Sequence, residues 1–252
     1  MTTTLSINTL RTAATAFRAE LATLKAANPP EGFSWYGYDI LGSVDHLAAT
    51  LTGMHRDIFE AVRREPIADI GAADGDLAFL LERFGFEVDL IDWPATNWNS
   101  LRGAPLLREL LGAKSQICPM DLDSYFELPR ERYGLSLFLG ILYHLKNPYY
   151  VMEKLALHTR YCMISTRIAR YTTDGATELA KAPVAYLLGP DECNNDATNF
   201  WIFSVPGLRR LFERTGWEIL DFKTVGDVRA SNPSANEHDE RAFAFLRSRR
   251  IG

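Results

Sequence analysis

The stretch Pro66-Ile-Ala-Asp-Ile-Gly-Ala-Ala-Asp-Gly-Asp76, followed by Val88-Asp-Leu-Ile-Asp92, constrains this chain more than any other. Residues 67–70 form a short, largely apolar run suited to a buried parallel strand. Gly71 accepts backbone angles that other residues avoid, so the chain can turn sharply off that strand. Ala72, Ala73 and Gly75 keep the turn bare, so a ligand can lie against backbone. Leu77, Phe79, Leu80, Leu81 and Phe84 then recur at helical spacing. The next strand ends at Asp92, whose carboxylate can accept hydrogen bonds from both hydroxyls of a ribose. Strand, bare turn, helix and acid-tipped strand make half of a nucleotide-cofactor site.

Two details choose between cofactors. A dinucleotide site uses G-x-G-x-x-G, with pyrophosphate on the helix N-terminus. Here the spacing is Gly71-x-x-x-Gly75, and the third glycine is missing. The loop also carries Asp69, Asp74 and Asp76, and three carboxylates repel a pyrophosphate. They suit a ligand with a sulfonium and an α-ammonium, which S-adenosyl-L-methionine (SAM) has. The competing reading is an ordinary βαβ turn with no ligand.

A chain of 252 residues can build one α/β domain with appendages. The net charge of −5 argues against a large nucleic-acid footprint. Cys118, Cys162 and Cys193 are scattered without a C-x-x-C pair, which suggests reduced thiols, a cytoplasmic location and no structural zinc. No segment resembles a signal peptide, and no run approaches the ~20 apolar residues of a membrane span.

Residues 5–27 read as an amphipathic helix, with Leu10, Ala14, Phe17, Leu21 and Leu24 on one stripe. A second helical stretch is expected over 40–64. Strands are expected near 67–70, 88–91, 116–119, 135–140, 161–166, 218–225 and 241–247, and helices near 76–84, 100–111, 148–157 and 206–215. The alternation predicts an α/β fold with a Rossmann-like sheet of seven, mostly parallel strands. Residues 1–64 form an N-terminal helical extension, and 65–252 the cofactor domain. The final strand lacks a following helix and is expected to pair antiparallel at the end of the sheet. An insertion over 170–200 follows the fifth strand, placed to cover a ligand.

Ligands in open α/β sheets sit beyond the carboxyl ends of the strands. The segment Leu137-Phe-Leu-Gly-Ile-Leu-Tyr-His-Leu-Lys-Asn-Pro148 leaves the fourth strand there. Gly140 permits close approach of a ligand. His144 is either a general base or a structural histidine, and Tyr143 stands beside it. After the third strand, Asp121 can accept the adenine amino group while Leu122 covers the ring, with plain solvation as the alternative. Trp93, Asn97 and Trp98 either wall the adenosine or, for Trp98, join the core. Two aromatic segments, 33–38 and 199–203, either pack the helices or line an acceptor pocket, with Tyr36 and Trp201 the rings to test. The acid-rich 191–196 loop lacks metal-site spacing, and no metal is expected.

Asp69-Ile-Gly-Ala-Ala-Asp-Gly75, Asp92 and the 138–148 segment together resemble the class I SAM-dependent methyltransferases. The Leu-Tyr-His and Asn-Phe-Trp-Ile-Phe segments are similar to a narrower branch. That branch includes enzymes modifying the wobble uridine of tRNA, and one member uses carboxy-SAM. The resemblance implies SAM, or carboxy-SAM, as cofactor, with Tyr143 and Arg241 facing the transferred group or its carboxylate. The chain departs from the branch where Gly37 follows Trp35-Tyr36 and where Gly134 opens the fourth strand, and no basic segment precedes the core. The leading expectation is methyl transfer to an oxygen or nitrogen of a small-molecule acceptor such as a sugar or natural-product intermediate. A tRNA-modifying enzyme and a non-catalytic SAM-binding module are the alternatives, and the oligomeric state is not readable.

Overall fold

The structure, a computed structural model, describes residues 5–234 and 236–251. Internal contacts divide it into two compact units, residues up to 121 with 125–137, and residues 122–124 with 138 onward.

The first unit opens with α1 (Ile7–Ala27), capped by the Ser6 side chain, which accepts from the Thr9 N–H at 3.2 Å. Its buried stripe is Ile7, Leu10, Ala14, Phe17 and Leu21, while Leu24 is only half buried. The stretch expected as a second helix is instead broken. α2 (Ser43–Thr50) ends at Leu51, whose backbone is extended. A 3₁₀ turn (Gly53–Asp57) and the short α3 (Ile58–Ala61) come next. The break has a local cause: Thr52 is extended and Gly53 sits at φ +50°, outside the right-handed helical region.

The strands β1 (Ile67–Ile70), β2 (Val88–Asp92) and β3 (Gln116–Pro119) pair in parallel, with Ile70 opposite Ile91 and Asp92 opposite Pro119. α4 (Asp76–Arg83) and α5 (Gly103–Leu111) are the crossovers. Every β1 residue is buried, which explains its largely apolar pattern. Asp89 lies fully buried in β2, and its carboxylate is matched by Arg130 (2.7 Å and 3.1 Å) and by the Tyr133 hydroxyl (2.7 Å). Tyr133 begins β4 (Tyr133–Leu139).

In the second unit, α6 (Pro148–His158) starts on an Asn147 cap with proline in its first turn. It leads into β5 (Thr159–Ile168). α7 (Val205–Arg214) precedes β8 (Trp217–Gly226), and β9 (Glu240–Ser248) closes the unit. β9 does pair antiparallel, but not at an edge. It lies between β5 and β8, opposite Tyr161 to Ile168 on one side and Trp217 to Gly226 on the other. Its burial, broken only at Arg241 and Arg247, fits a strand flanked on both sides. The 170–200 insertion contributes β6 (Ala185–Leu187), paired antiparallel with β7 (Trp201–Phe203). Ala169, Leu179, Leu188, Cys193 and Ile202 form a small core there. All seven expected strands are present, in a mixed α/β, mostly parallel Rossmann-like fold, with β6 and β7 as additions.

The Asp89 cluster yields a stability test. Asp89→Ala leaves the buried Tyr133 hydroxyl without its acceptor and the partly exposed Arg130 with Glu87 alone, and is expected to cost about 1–3 kcal/mol by urea denaturation. Glu87→Ala, removing the exposed second partner of Arg130, is expected to cost under about 1 kcal/mol. Equal losses in the two variants contradict this account.

Candidate functional site

The turn between β1 and α4 is held in a high-energy shape. Gly71, Ala73 and Gly75 all have positive φ, at +74°, +52° and +87°. For Ala73 this costs about 1–2 kcal/mol. A Cβ on Gly75 would lie 2.4 Å from Leu90 and 2.8 Å from the Phe79 ring, so only glycine fits. The Gly71 N–H donates to the Ile91 carbonyl at 2.7 Å, extending the ladder one residue past the strand. The Met120 N–H does the same to the Asp92 carbonyl at 2.9 Å. Gly71, Asp92 and Asp121 therefore gather at one sheet edge.

Asp92 closes the turn. Its Oδ2 accepts from the Ala73 N–H at 2.9 Å and from Asn97 Nδ2 at 3.0 Å, and its Oδ1 from the Trp93 N–H at 2.7 Å. Burial pushes its pKa up, against the pull of these three donors. A carboxylate offers about four acceptor positions, so Oδ1 keeps one for a ligand hydroxyl.

Asp69 is 5 % exposed, and its Oδ2 has no hydrogen-bond partner among the described residues. Burial first, then the nearby Asp92 charge, raise its pKa to about 7. An orphaned buried oxygen beneath a bare, glycine-walled turn fits a cationic amine, so these residues fit the methionine end of SAM.

The other two loop acids are not left to a ligand. Lys25, from the last turn of α1, reaches Asp76 at 2.8 Å and Asp74 at 3.3 Å. Burial still raises the Asp76 pKa, with Lys25 opposing. Asp74 also accepts from the Tyr36 N–H at 2.8 Å and from Asn99 Nδ2 at 2.8 Å. It thus fixes the 33–38 segment and the start of α5 to the turn. Gly103 is required there, because a Cβ would fall 2.0 Å from Asp74 Oδ1. The Tyr36 ring packs against Tyr38 with centroids 5.5 Å apart. Trp98 is 63 % exposed, which removes it from the core, and Trp93 is 38 % exposed. An open groove beside α5, lined by Arg102, Leu106, Arg108 and Gly112, contains none of the expected site residues.

The second unit assembles a separate cluster. Gly140 has φ +79° and donates its N–H to the Ser165 carbonyl at 2.9 Å. A Cβ there would stand 3.5 Å from the Tyr143 hydroxyl, so that hydroxyl lies close over the end of β4. Arg241 lies on β9 opposite Arg167 of β5. Its guanidinium is 5.9 Å from the Tyr143 ring centroid. Asp239 is shared by both arginines, at 2.8 Å from Arg167 Nε and 3.2 Å from Arg241 Nε. The end of the insertion laces onto the 3₁₀ turn Leu142–His144 and the two residues after it. The Phe200 N–H donates to the Tyr143 carbonyl (2.8 Å), and the Trp201 indole to the Lys146 carbonyl (3.2 Å). His144 Nδ1 meets Thr198 at its carbonyl (3.2 Å) and its hydroxyl (3.0 Å). Burial holds the His144 pKa below the usual histidine range.

Leu122 is buried. Asp123 takes the N–H groups of Lys146 (2.8 Å) and Asn147 (3.2 Å), which ties it to the entry of α6. Glu192 of the acidic loop accepts from the Gly189 N–H and the Tyr186 hydroxyl, so it braces the insertion. Sequence reasoning missed Lys25, Asn99, Asp196 and Thr198. Only the Asp196-x-Thr198 pair carried a local signal, that of an Asx turn.

No family model and no curated protein matches this chain. Solved structures do. The N-terminal domain of EvdMO1, determined in the presence of S-adenosylhomocysteine (SAH) and D-fucose, is similar at 18% identity and TM-score 0.59, over 92% of this chain and 97% of that one. The chain spans 48% of the longer EvdMO1 structure. A candidate methyltransferase of Bacillus halodurans aligns at 12% identity and TM-score 0.55, over 75% and 96%. The [4+2]-cyclase SpnF aligns at 12% identity and TM-score 0.57, over 94% and 92%. The fold is that of the class I SAM-dependent methyltransferases.

The state of Asp69 generates a pH test. A carboxyl with a raised folded pKa is protonated in both states below pH ~4, and destabilises the fold as pH rises toward ~7. Asp69→Asn cannot ionise. Its unfolding free energy is expected to match wild type near pH 4 and to exceed it by a margin that grows to pH 7, then levels, reaching about a few kcal/mol by urea denaturation. A margin independent of pH contradicts the assignment.

Proposed function

We propose that this chain is an enzyme transferring a methyl group from SAM to an oxygen or nitrogen of a small-molecule acceptor. The observation that carries this reading is the positive-φ turn at 71–75, closed by Asp92 and underlain by the unpartnered Asp69 oxygen. SAM, when bound, supplies an electrophilic methyl carbon on a sulfonium. Asp69 would accept the α-ammonium, with Gly71, Ala72, Ala73 and Gly75 leaving backbone free beside it. Asp92 would take a ribose hydroxyl on its remaining Oδ1 position, and accept a second only by sharing or releasing the Ala73 or Asn97 donor. Asp121 would receive the adenine amino group, with Trp93 against the ring. In the second unit Tyr143, Trp201 and Arg241 would contact the acceptor, and His144 would hold the departing proton; Tyr36 is the first unit's candidate. Methyl transfer depends mainly on alignment and exclusion of water.

The EvdMO1 domain studied with SAH and D-fucose supports a sugar-like acceptor. The pairing of Arg241 with Tyr143 favours a second reading, in which carboxy-SAM is used and its carboxylate meets that pair. A net charge of −5 disfavours tRNA as substrate. Three buried free cysteines accord with a cytoplasmic enzyme, and no helix among the described residues is long and apolar enough to cross a membrane.

Calorimetry is expected to give micromolar SAM or SAH binding, about 8 kcal/mol, which Gly71→Val abolishes. With a panel of deoxysugars, mass spectrometry is expected to show gain of one methyl, or of a carboxymethyl if carboxy-SAM is the donor. Tight NAD binding without binding of SAM, SAH or carboxy-SAM overturns the reading.

A further inference from the structure

The hydrogen bonds around His144 determine its tautomer. A carbonyl oxygen only accepts, so the 3.2 Å contact from Nδ1 to the Thr198 carbonyl needs a proton on Nδ1. The Thr198 hydroxyl has one proton, and it is given to Asp196 Oδ1 at 2.7 Å. That hydroxyl can therefore only accept from His144, and the 3.0 Å contact again needs Nδ1–H. Asp196 is itself fixed, because the same Oδ1 accepts the Thr198 N–H at 2.9 Å. Both contacts demand the same ring state, which leaves the lone pair on Nε2.

We propose that Thr198 and Asp196 are positioning residues that hold His144 as its Nδ1–H tautomer, so that Nε2 takes the acceptor's proton during methyl transfer. The inference rests on the methyltransferase reading above and deepens it. In the step, the acceptor O–H or N–H bond breaks and its proton joins Nε2. The electron pair left on the acceptor forms the bond to the methyl carbon, while the carbon–sulfur pair stays on sulfur. The resulting imidazolium points Nδ1–H along Thr198 toward the Asp196 carboxylate, which opposes its positive charge, and then returns the proton to water. The charged and titratable groups around the ring are Asp196, which favours the imidazolium, Arg241, which opposes it, and Tyr143, whose ring is tilted by 50° with its centroid 4.4 Å away. Asp196 and Thr198 sit at the end of the insertion, which gives that segment a chemical task beyond covering a ligand.

The test reads the ring nitrogens directly. In protein labelled with ¹⁵N in its histidine rings, the His144 signals are assigned by their loss in His144→Gln. Wild type is expected to show a protonated Nδ1 and an unprotonated Nε2 at pH 8. Asp196→Ala frees the Thr198 hydroxyl to donate, and Thr198→Val removes it. Asp196→Ala is expected to populate the Nε2–H form and to move the ring titration to lower pH, whereas Thr198→Val, which keeps the carbonyl acceptor, is expected to weaken the preference for Nδ1–H without reversing it. With SAH affinity unchanged, kcat is expected to fall tenfold or more, within the roughly 10²–10⁴ that a general base contributes. Thr198→Ser is expected to restore both spectrum and kcat, and it separates positioning from misfolding. A wild-type ring protonated on Nε2 overturns the proposal, as does wild-type kcat and pH profile in both variants. A protein that binds no SAH defeats only the methyltransferase reading, since the spectrum still decides the tautomer.

Discussion

The hydrogen bond from the Ala73 N–H to Asp92 Oδ2 ties the tip of one strand to the turn leaving its neighbour. That turn carries three alternate residues at positive φ, one of them an alanine, and would relax without a partner for its middle amide. Asp92 then passes the constraint onward. Asn97 donates to it and, through its own side-chain carbonyl, accepts the N–H groups of Asn99 and Leu101. Asn99 reaches Asp74, and Asp74 and Asp76 receive Lys25. Four acids, one lysine and two asparagines thus shape one sheet edge. Of these acids Asp69 alone keeps a buried oxygen without a partner among the described residues.

The acidity of the loop is therefore only partly available to a ligand. Three carboxylates in eight residues suggest a site whose charge is wholly open to a cation. In the folded chain one lysine answers two of them, and burial keeps the third near its protonation point. The charge around the loop is thus set by both the turn and α1.

The parts legible in the sequence are those with a local cause. Continuous apolar runs bounded by glycine gave the parallel strands, and proline after asparagine gave the start of α6. Gly53 interrupts the 40–64 stretch through one backbone angle, which helical periodicity does not register. β9 carries the pattern of a buried strand, but nothing local says that it sits between β5 and β8. The three-residue strands β6 and β7 are too short for any period. Lys25 meets Asp74 across 49 residues, and His144 meets Thr198 across 54. Such pairs are made by the tertiary fold, and the residues that complete the site were invisible for that reason.

A cofactor held by the 71–75 turn would perturb that turn's own amides. The most direct measurement is a ¹H–¹⁵N titration of backbone amides with SAH, and separately with NAD. Saturable shifts of Gly71, Ala73, Gly75 and Trp93 with SAH alone are the expected result. Shifts confined to other residues, or the same amides responding to NAD and not to SAH, contradict it.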